Sequence, residues 1–320
     1  MMNLAHAHLL LNHLPILGTL MALLLFLVAL LAKRDDLKQV SLALFALMAL
    51  LAIPTYISGS GASDTIKDTP NISMELIETH QGAALLAFIF LEITGLVAAM
   101  ALWRYSRTDK NPWVSGPARL NLVVVLVLAL VTSGLMAIAG NTGGNIRHPE
   151  IAGEATSLAG AIGARLILGI QHFVIDWSMW IWPVLEDLHF FGLILLLGSM
   201  GVLNIRVLGF LKRVPLAPLH RFIPWGIAGF VLNVVTGFLF YLGMPGFYNL
   251  NVVFQLKILA IFIAAAELLL FYCTGAFRSL EHLGAGEDAP ALAKFVALTS
   301  IILLLAIIVL GRYIPFGEVT

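Results

Sequence analysis

Apolar positions in this chain do not alternate with polar ones as on a half-exposed helix; they run on in long blocks. Predominantly apolar stretches lie near 9–31, 39–57, 82–103, 120–139, 181–209, 222–243, 254–275 and 292–311. A hydrocarbon core of roughly 30 Å takes about 20 helical residues to cross. The pattern therefore predicts an all-α polytopic membrane protein of about eight transmembrane helices, arranged as two four-helix bundles.

Between the two sets of four, the pattern weakens. Glu154, Arg165, His172 and Asp176 interrupt residues 152–179, which predicts an outer-face linker with an interfacial helix near 158–175. The expected division is a four-helix domain over 1–150, a linker over 151–177 and a second four-helix domain over 178–320. Turn-forming residues set two further boundaries. Helix 2 is expected to end near Pro54 to Gly61, and the run GNTGGNIRHPEI, Gly140 to Ile151, to leave the membrane as a loop that folds back with His148 on it.

Composition narrows the class. The chain is 60% hydrophobic and 11% charged, with a mean hydropathy of +0.97, outside the range of soluble domains. A formal net charge of zero gives no reason to expect nucleic acid as a partner. The single cysteine, Cys273, excludes an intramolecular disulfide and any cysteine-based metal cage. Of the 18 lysines and arginines, 13 fall in loops after helices 1, 3, 5 and 7. By the positive-inside rule that side is cytoplasmic and both termini are periplasmic, in a bacterial inner membrane. The first cation, Lys33, lies at the far end of the first apolar run, so that run reads as a retained helix and not a cleaved signal. All six tryptophans (103, 113, 177, 180, 182 and 225) fall at predicted interfaces, as an aromatic belt requires.

Histidine carries the candidate chemistry. Three of the nine, His6, His8 and His13, lie in the first thirteen residues, where helix 1 enters lipid. His8 is 25 residues from Lys33, and His80 is 24 from Arg104, so at about 1.5 Å per residue the two sit level. His13 is about one turn deeper, a difference that ordinary helix tilt can erase, and either could face His80. Neutral imidazoles at one depth on facing helices suit haem iron, held edge-on in a bundle by two axial histidines. Zinc or copper would also take imidazole, with Glu75, Glu78 or Glu150 as possible carboxylates. Glu92 and Glu267 stand near mid-membrane, either neutral and hydrogen-bonded or functional. Glu186 and His189 form one Glu-x-x-His pair; a di-iron bundle needs two, so this pair is expected to line a cavity or serve a haem.

Two resemblances bear on these residues. Residues 1 to 155 resemble a bacterial family of small four-helix membrane proteins, through His8, His13 and Pro15, through His80 at the mouth of helix 3, and through Gly143, Gly144, Ile146 and His148. That family is regarded as b-haem or redox-associated. Residues 178 to 275 are similar to a second four-helix family, through WPVLEDLH with Glu186 and His189, IPWGIAGF with Trp225, TGFLFY, and NVVFQLK with Asn251 and Lys257. This second family is distantly like copper-resistance D proteins and b-type cytochromes. Asn204 stands where it would have Asp, and Cys273 where His is expected, which counts against a bis-histidine haem in this half.

Together these imply a b-type cytochrome-like electron-transfer subunit. One or two b haems are expected near the outer face on His8, His13, His80 and His148. Electrons would pass between the quinone pool and a periplasmic cytochrome or other redox subunit of a larger complex. His189 with Glu186 is the expected quinone site or additional haem site. Two alternatives stand beside this reading: a copper or small-solute transporter with Glu92, His189, Asn233 and Glu267 along its path, and a cofactor-free membrane anchor.

Overall fold

A computed structural model describes residues 4–70, 72–107, 116–151, 158–273, 280 and 283–316; Lys110, Trp113, residues 152–157 and the side chain of Cys273 lie outside what it describes. Among the described residues there is no strand. The α-helices are α1 (Leu4–Leu11), α2 (His13–Leu31), α3 (Asp35–Ile66), α4 (Met74–Arg107), α5 (Gly116–Arg147), α6 (Leu158–Gln171), α7 (Ile181–Leu208), α8 (Leu216–Leu219), α9 (Ile223–Gly243), α10 (Pro245–Asn249), α11 (Val252–Cys273) and α12 (Ala291–Tyr313).

Eight helical stretches among these residues are long and apolar enough to cross a bilayer. The chain is an all-α, multi-pass membrane protein. One of the eight, Leu158–Asp176, was expected at the interface, yet over its 19 residues it meets the same length and composition limits as the rest. The helix α11, 22 residues long, also has the length of a span. Contacts divide the chain into two units, Met1–Gly169 and Ile170–Thr320, and the division falls inside the stretch read as a linker.

In the first unit α3 packs on α1, α2 and α4, while α5 packs on α4 and α2. Large side chains fill the half nearest Lys33 and Arg104, with Phe26, Leu42, Phe45 and Val125 fully buried. The opposite half is lined by short ones, among them Ala52, Ala83, Ala87 and Ala139. Pro15 has no N–H to give the Leu11 carbonyl, so one backbone bond is missing there, but Asn12 keeps helical dihedrals and its N–H bonds the His8 carbonyl, and Leu4–Leu31 runs as one span. The segment α1 packs on α3, where the Leu4 side chain lies against Gly61.

Two helix ends expected from turn residues are corrected. The helix α3 runs through Pro54 to Ile66. Proline removes one backbone bond, but the hydroxyls of Thr55, Ser58, Ser63 and Thr65 donate to carbonyls three or four residues back, and α1 covers the region. The helix α5 likewise continues through Gly140, Gly143 and Gly144 to Arg147. In hydrocarbon a loop would leave its backbone groups unpaired, so even glycine-rich sequence stays helical.

In the second unit α7 packs against α9 and α12, and α12 against α11. The end of α7 is set by Gly209, whose φ of 99° puts it in the left-handed region. Gly209 N–H bonds the Arg206 carbonyl and Phe210 N–H that of Ile205, a Schellman closure. Arg206, expected as a loop cation, is fully buried. Its guanidinium donates to the carbonyls of Val214, Gly284 (2.8 Å) and Glu287 (3.3 Å), joining the segment after α7 to the one before α12. At that end Asp288 bridges Lys294 (2.7 Å) and Lys212 (3.1 Å). At the other end Asn251 caps α11, accepting from Phe254 N–H and donating to the Ile314 carbonyl, while Asn249 accepts from Tyr241 Oη–H.

Arg206→Ala, which strands three carbonyls, is expected to destabilise the second unit by about 3 kcal/mol, read as a lowered thermal midpoint in detergent. Hydrogen bonds from Lys294 and Lys212 hold the Asp288 carboxyl down at about 2. A carboxyl depressed in this way contributes above its unfolded value and loses that contribution as pH falls through the folded one. The 209–216 and 283–290 segments should therefore keep their protection from hydrogen exchange down to about pH 4 and lose it toward about pH 2, and Asp288→Asn should remove that dependence.

Candidate functional site

At the end of the first unit remote from Lys33 and Arg104, α1 and α4 bring the rings of His8 and His80 together edge to face. Their ring centroids are 6.5 Å apart and the planes cross at 65°. Each imidazole is docked on a different third helix, and the two docks share one design. His8 Nδ1–H donates to the Thr55 carbonyl at 3.1 Å; the Ser58 hydroxyl donates to the same oxygen, and a Cβ on Gly59 would stand 2.8 Å from His8 Cε1. His80 Nδ1–H donates to the Ala139 carbonyl at 3.1 Å; the Thr142 hydroxyl has the same oxygen (3.1 Å) and the Ile138 carbonyl (3.0 Å) within donating reach, and a Cβ on Gly143 would stand 3.0 Å from His80 Cε1. The recurring element is a carbonyl at one helical position, a hydroxyl three residues on and a glycine four residues on.

This dock fixes the chemistry of the ring. A carbonyl can only accept, so Nδ1 carries the proton and, in the neutral imidazole, Nε2 carries a lone pair. Among the described residues no hydrogen bond reaches Nε2 of either histidine. Each ring thus keeps a lone pair on Nε2 that no protein group satisfies among the described residues. A backbone carbonyl on the second ring nitrogen is the usual partner of a metal-bound histidine, because it orients the ring and raises its basicity.

The spacing can be tested against a ligand. With a metal–nitrogen bond of about 2 Å and roughly 1 Å from nitrogen to ring centre, two imidazoles on one ion have centroids about 6 Å apart. The 6.5 Å observed is close to that value. Cβ atoms at positions 59 and 143 would stand 2.8 and 3.0 Å from the Cε1 atoms, so the glycines make room for the rings themselves. Ala52, Ala83 and Ala87 pack the bundle in the same half. A haem iron would be held there by His8 and His80. A zinc or copper site would need more ligands, and among the described residues no group of three or more His, Cys, Asp or Glu side chains is placed to hold one ion.

The other expected ligands do not join the pair. His13 is exposed at the start of α2, and Glu75 and Glu78 are exposed on α4. His148 is exposed beyond the end of α5 and donates from Nδ1 to Glu150 at 3.0 Å. Of the four histidines expected to hold one or two haems, the structure brings only His8 and His80 together: His13 lies about 140° around the helix from His8, and α5 carries His148 past the docks. In the second unit His189 Nδ1 meets the Thr236 hydroxyl at 2.7 Å, while Glu186 is exposed and accepts from Trp182 Nε1–H. Glu267 accepts from the hydroxyls of Thr299 and Ser300 on α12. Asn233 donates to the Gly229 carbonyl, and Glu92 has one buried oxygen with no partner among the described residues.

Depth along the helices left His80 opposite either His8 or His13, and it gave no sign of Ser58, Gly59 or Thr142; Gly143 entered only through the resemblance. A hydroxyl residue followed by glycine was a visible signal, but Ser133-Gly134 has the same form with nothing within 4 Å of its glycine. The docks lead to one expectation for the cofactor-free protein. In ¹⁵N spectra of histidine-labelled protein at neutral pH, His8 and His80 should both report the Nδ1–H tautomer; Thr142→Val should leave His80 unchanged, because the Ala139 carbonyl still accepts.

No family model matches the chain, and no curated protein and no solved structure is significantly similar to it.

Proposed function

We propose that the first unit is a b-type cytochrome-like electron carrier with one haem iron between His8 and His80, serving as an electron-transfer subunit of a larger membrane assembly. The observation that carries this reading is the matched pair of docks, which leave Nε2 unprotonated on two rings whose centroids are 6.5 Å apart, close to the separation of two imidazoles on one ion. Bound there, the iron would supply a one-electron couple whose potential follows its axial ligands and burial.

The chain's own residues do the rest. Nε2 of His8 and of His80 bind; the carbonyls of Thr55 and Ala139 hold the rings in orientation and strengthen them as ligands; the alanine-lined half of the bundle excludes water. Positive-inside bias puts Lys33, Arg34, Lys38, Arg104 and Arg119 on the cytoplasmic side, so the pair faces the periplasm. His8 lies in the second turn of α1 and His80 in the second turn of α4. Each is within reach of a periplasmic redox partner at the surface and of quinone dissolved in the adjoining lipid.

Reduced-minus-oxidised absorption of the purified full chain tests the proposal. A reversible b-type signal is expected, and His8→Ala and His80→Ala should each remove this centre. Gly59→Leu and Gly143→Leu should also remove it, while costing about 1 to 3 kcal/mol through overpacking. A featureless difference spectrum from protein supplied with haem would end the reading.

A further inference from the structure

At the end of the second unit opposite Arg206 and Asp288, α11 and α12 are held in register by Asn251 Nδ2–H, which donates to the Ile314 carbonyl at 2.8 Å. Lys257 is rooted six residues beyond Asn251, about 9 Å deeper along the helix at 1.5 Å per residue. Its amine does not stay at that depth. Gly311 of α12 lies only three residues inside Ile314, about 4.5 Å, and a Cβ there would stand 3.3 Å from Lys257 Nζ, 3.6 Å from Cε and 3.9 Å from Cδ. The lysine stem thus runs along bare backbone toward the nearer end of the helix pair. That is the course of a side chain that keeps its methylenes among apolar groups and lifts its charge toward water. A side chain at position 311 would obstruct it.

The residue after Gly311 is a second cation. Arg312 is exposed, and its guanidinium lies over the Phe316 ring, 5.8 Å from the centroid. Among the described residues neither Lys257 nor Arg312 meets a carboxylate or any other hydrogen-bond acceptor. The opposite end of the unit is built differently, with three carbonyls on Arg206 and with Asp288 shared by Lys212 and Lys294. Below Arg312 the surface is apolar. Leu305 and Val309 precede it by seven and three residues, so the three share one face of α12, and both are more than half exposed; Leu256 and Leu259 are exposed on α11.

We propose that Lys257 and Arg312 together hold the phosphate of an anionic phospholipid, whose acyl chain lies along Leu305 and Val309. A phosphate oxygen cluster accepts from an ammonium and a guanidinium at once, and it supplies the acceptors that both cations lack. A choline or ethanolamine headgroup carries its own cation, which would stand against these two. A glycerol headgroup brings no such charge. Free phosphate would gain nothing from the apolar face below Arg312. The proposal is independent of the haem reading, and protein without haem should give the same result.

Native mass spectrometry of the purified full chain tests it, with the chain delipidated and then titrated with phosphatidylglycerol or phosphatidylcholine of the same acyl chains. Wild-type protein should retain phosphatidylglycerol in preference, and the number retained should fall by one in the Lys257→Gln, Arg312→Gln double variant. Each single substitution should weaken that lipid about fivefold, the worth of one cation near a membrane surface, and Lys257→Arg should keep it. Gly311→Leu should weaken it too, although both charges remain. Equal retention of the two lipids, or an unchanged number in the double variant, would overturn the proposal. Inorganic phosphate competing as well as the lipid would make this a site for a free anion, and displacement by a polyglutamate peptide would assign it to an acidic protein segment; either result overturns it. Because the two lipids are compared on the wild-type chain, a variant that fails to fold does not obscure the outcome.

Discussion

Hydrocarbon offers no hydrogen bonds, and the polar groups at the two histidine docks are arranged around that fact. A ring N–H that enters the bilayer must find an acceptor on a neighbouring helix. In a helix, each carbonyl is already engaged by the N–H four residues on. The acceptors that take an imidazole here are therefore shared ones, the Thr55 and Ala139 carbonyls, which the Ser58 and Thr142 hydroxyls also reach. For the ring to reach the backbone, the helix must be bare at that point, and Gly59 and Gly143 provide the opening. One requirement thus settles three things together: which helix the histidine leans on, which residue lacks a side chain, and which ring nitrogen keeps its lone pair.

The same requirement explains which parts of the sequence could be read in advance. Long apolar blocks and the placement of Lys and Arg gave the helical class and the levels of His8 and His80, because depth follows from rise per residue alone. Rotation about the helix axis and partner choice do not follow from rise. His13 and His148 were grouped with the pair by depth, although His13 lies about 140° around the helix from His8 and the continued helix α5 carries His148 away. Pro54 and Gly140 to Gly144 were read by the habits of soluble proteins, in which water would satisfy a broken helix. Here hydroxyls and neighbouring helices do so, and the helices go on.

Arg206 shows a related limit. Its position after the fifth apolar run is that of an ordinary anchoring cation, and nothing nearby in sequence marks it as buried. The carbonyls that receive it belong to Val214, Gly284 and Glu287, so its role is set by residues about eighty positions away. The Schellman closure at Gly209 is the local half of the same corner. It could be suspected from a glycine at the end of an apolar run, whereas the guanidinium staple could not.

The continuity of the first span has a consequence for rigidity. Asn12 keeps helical dihedrals and its N–H bonds the His8 carbonyl, so α1 is tied to α2 and is not a separate segment. His8 therefore stands on the end of a 28-residue span, seated by Leu4 against Gly61 and by its own ring against Gly59. Any shift of that span along α3 would carry the imidazole away from the Thr55 carbonyl as one body.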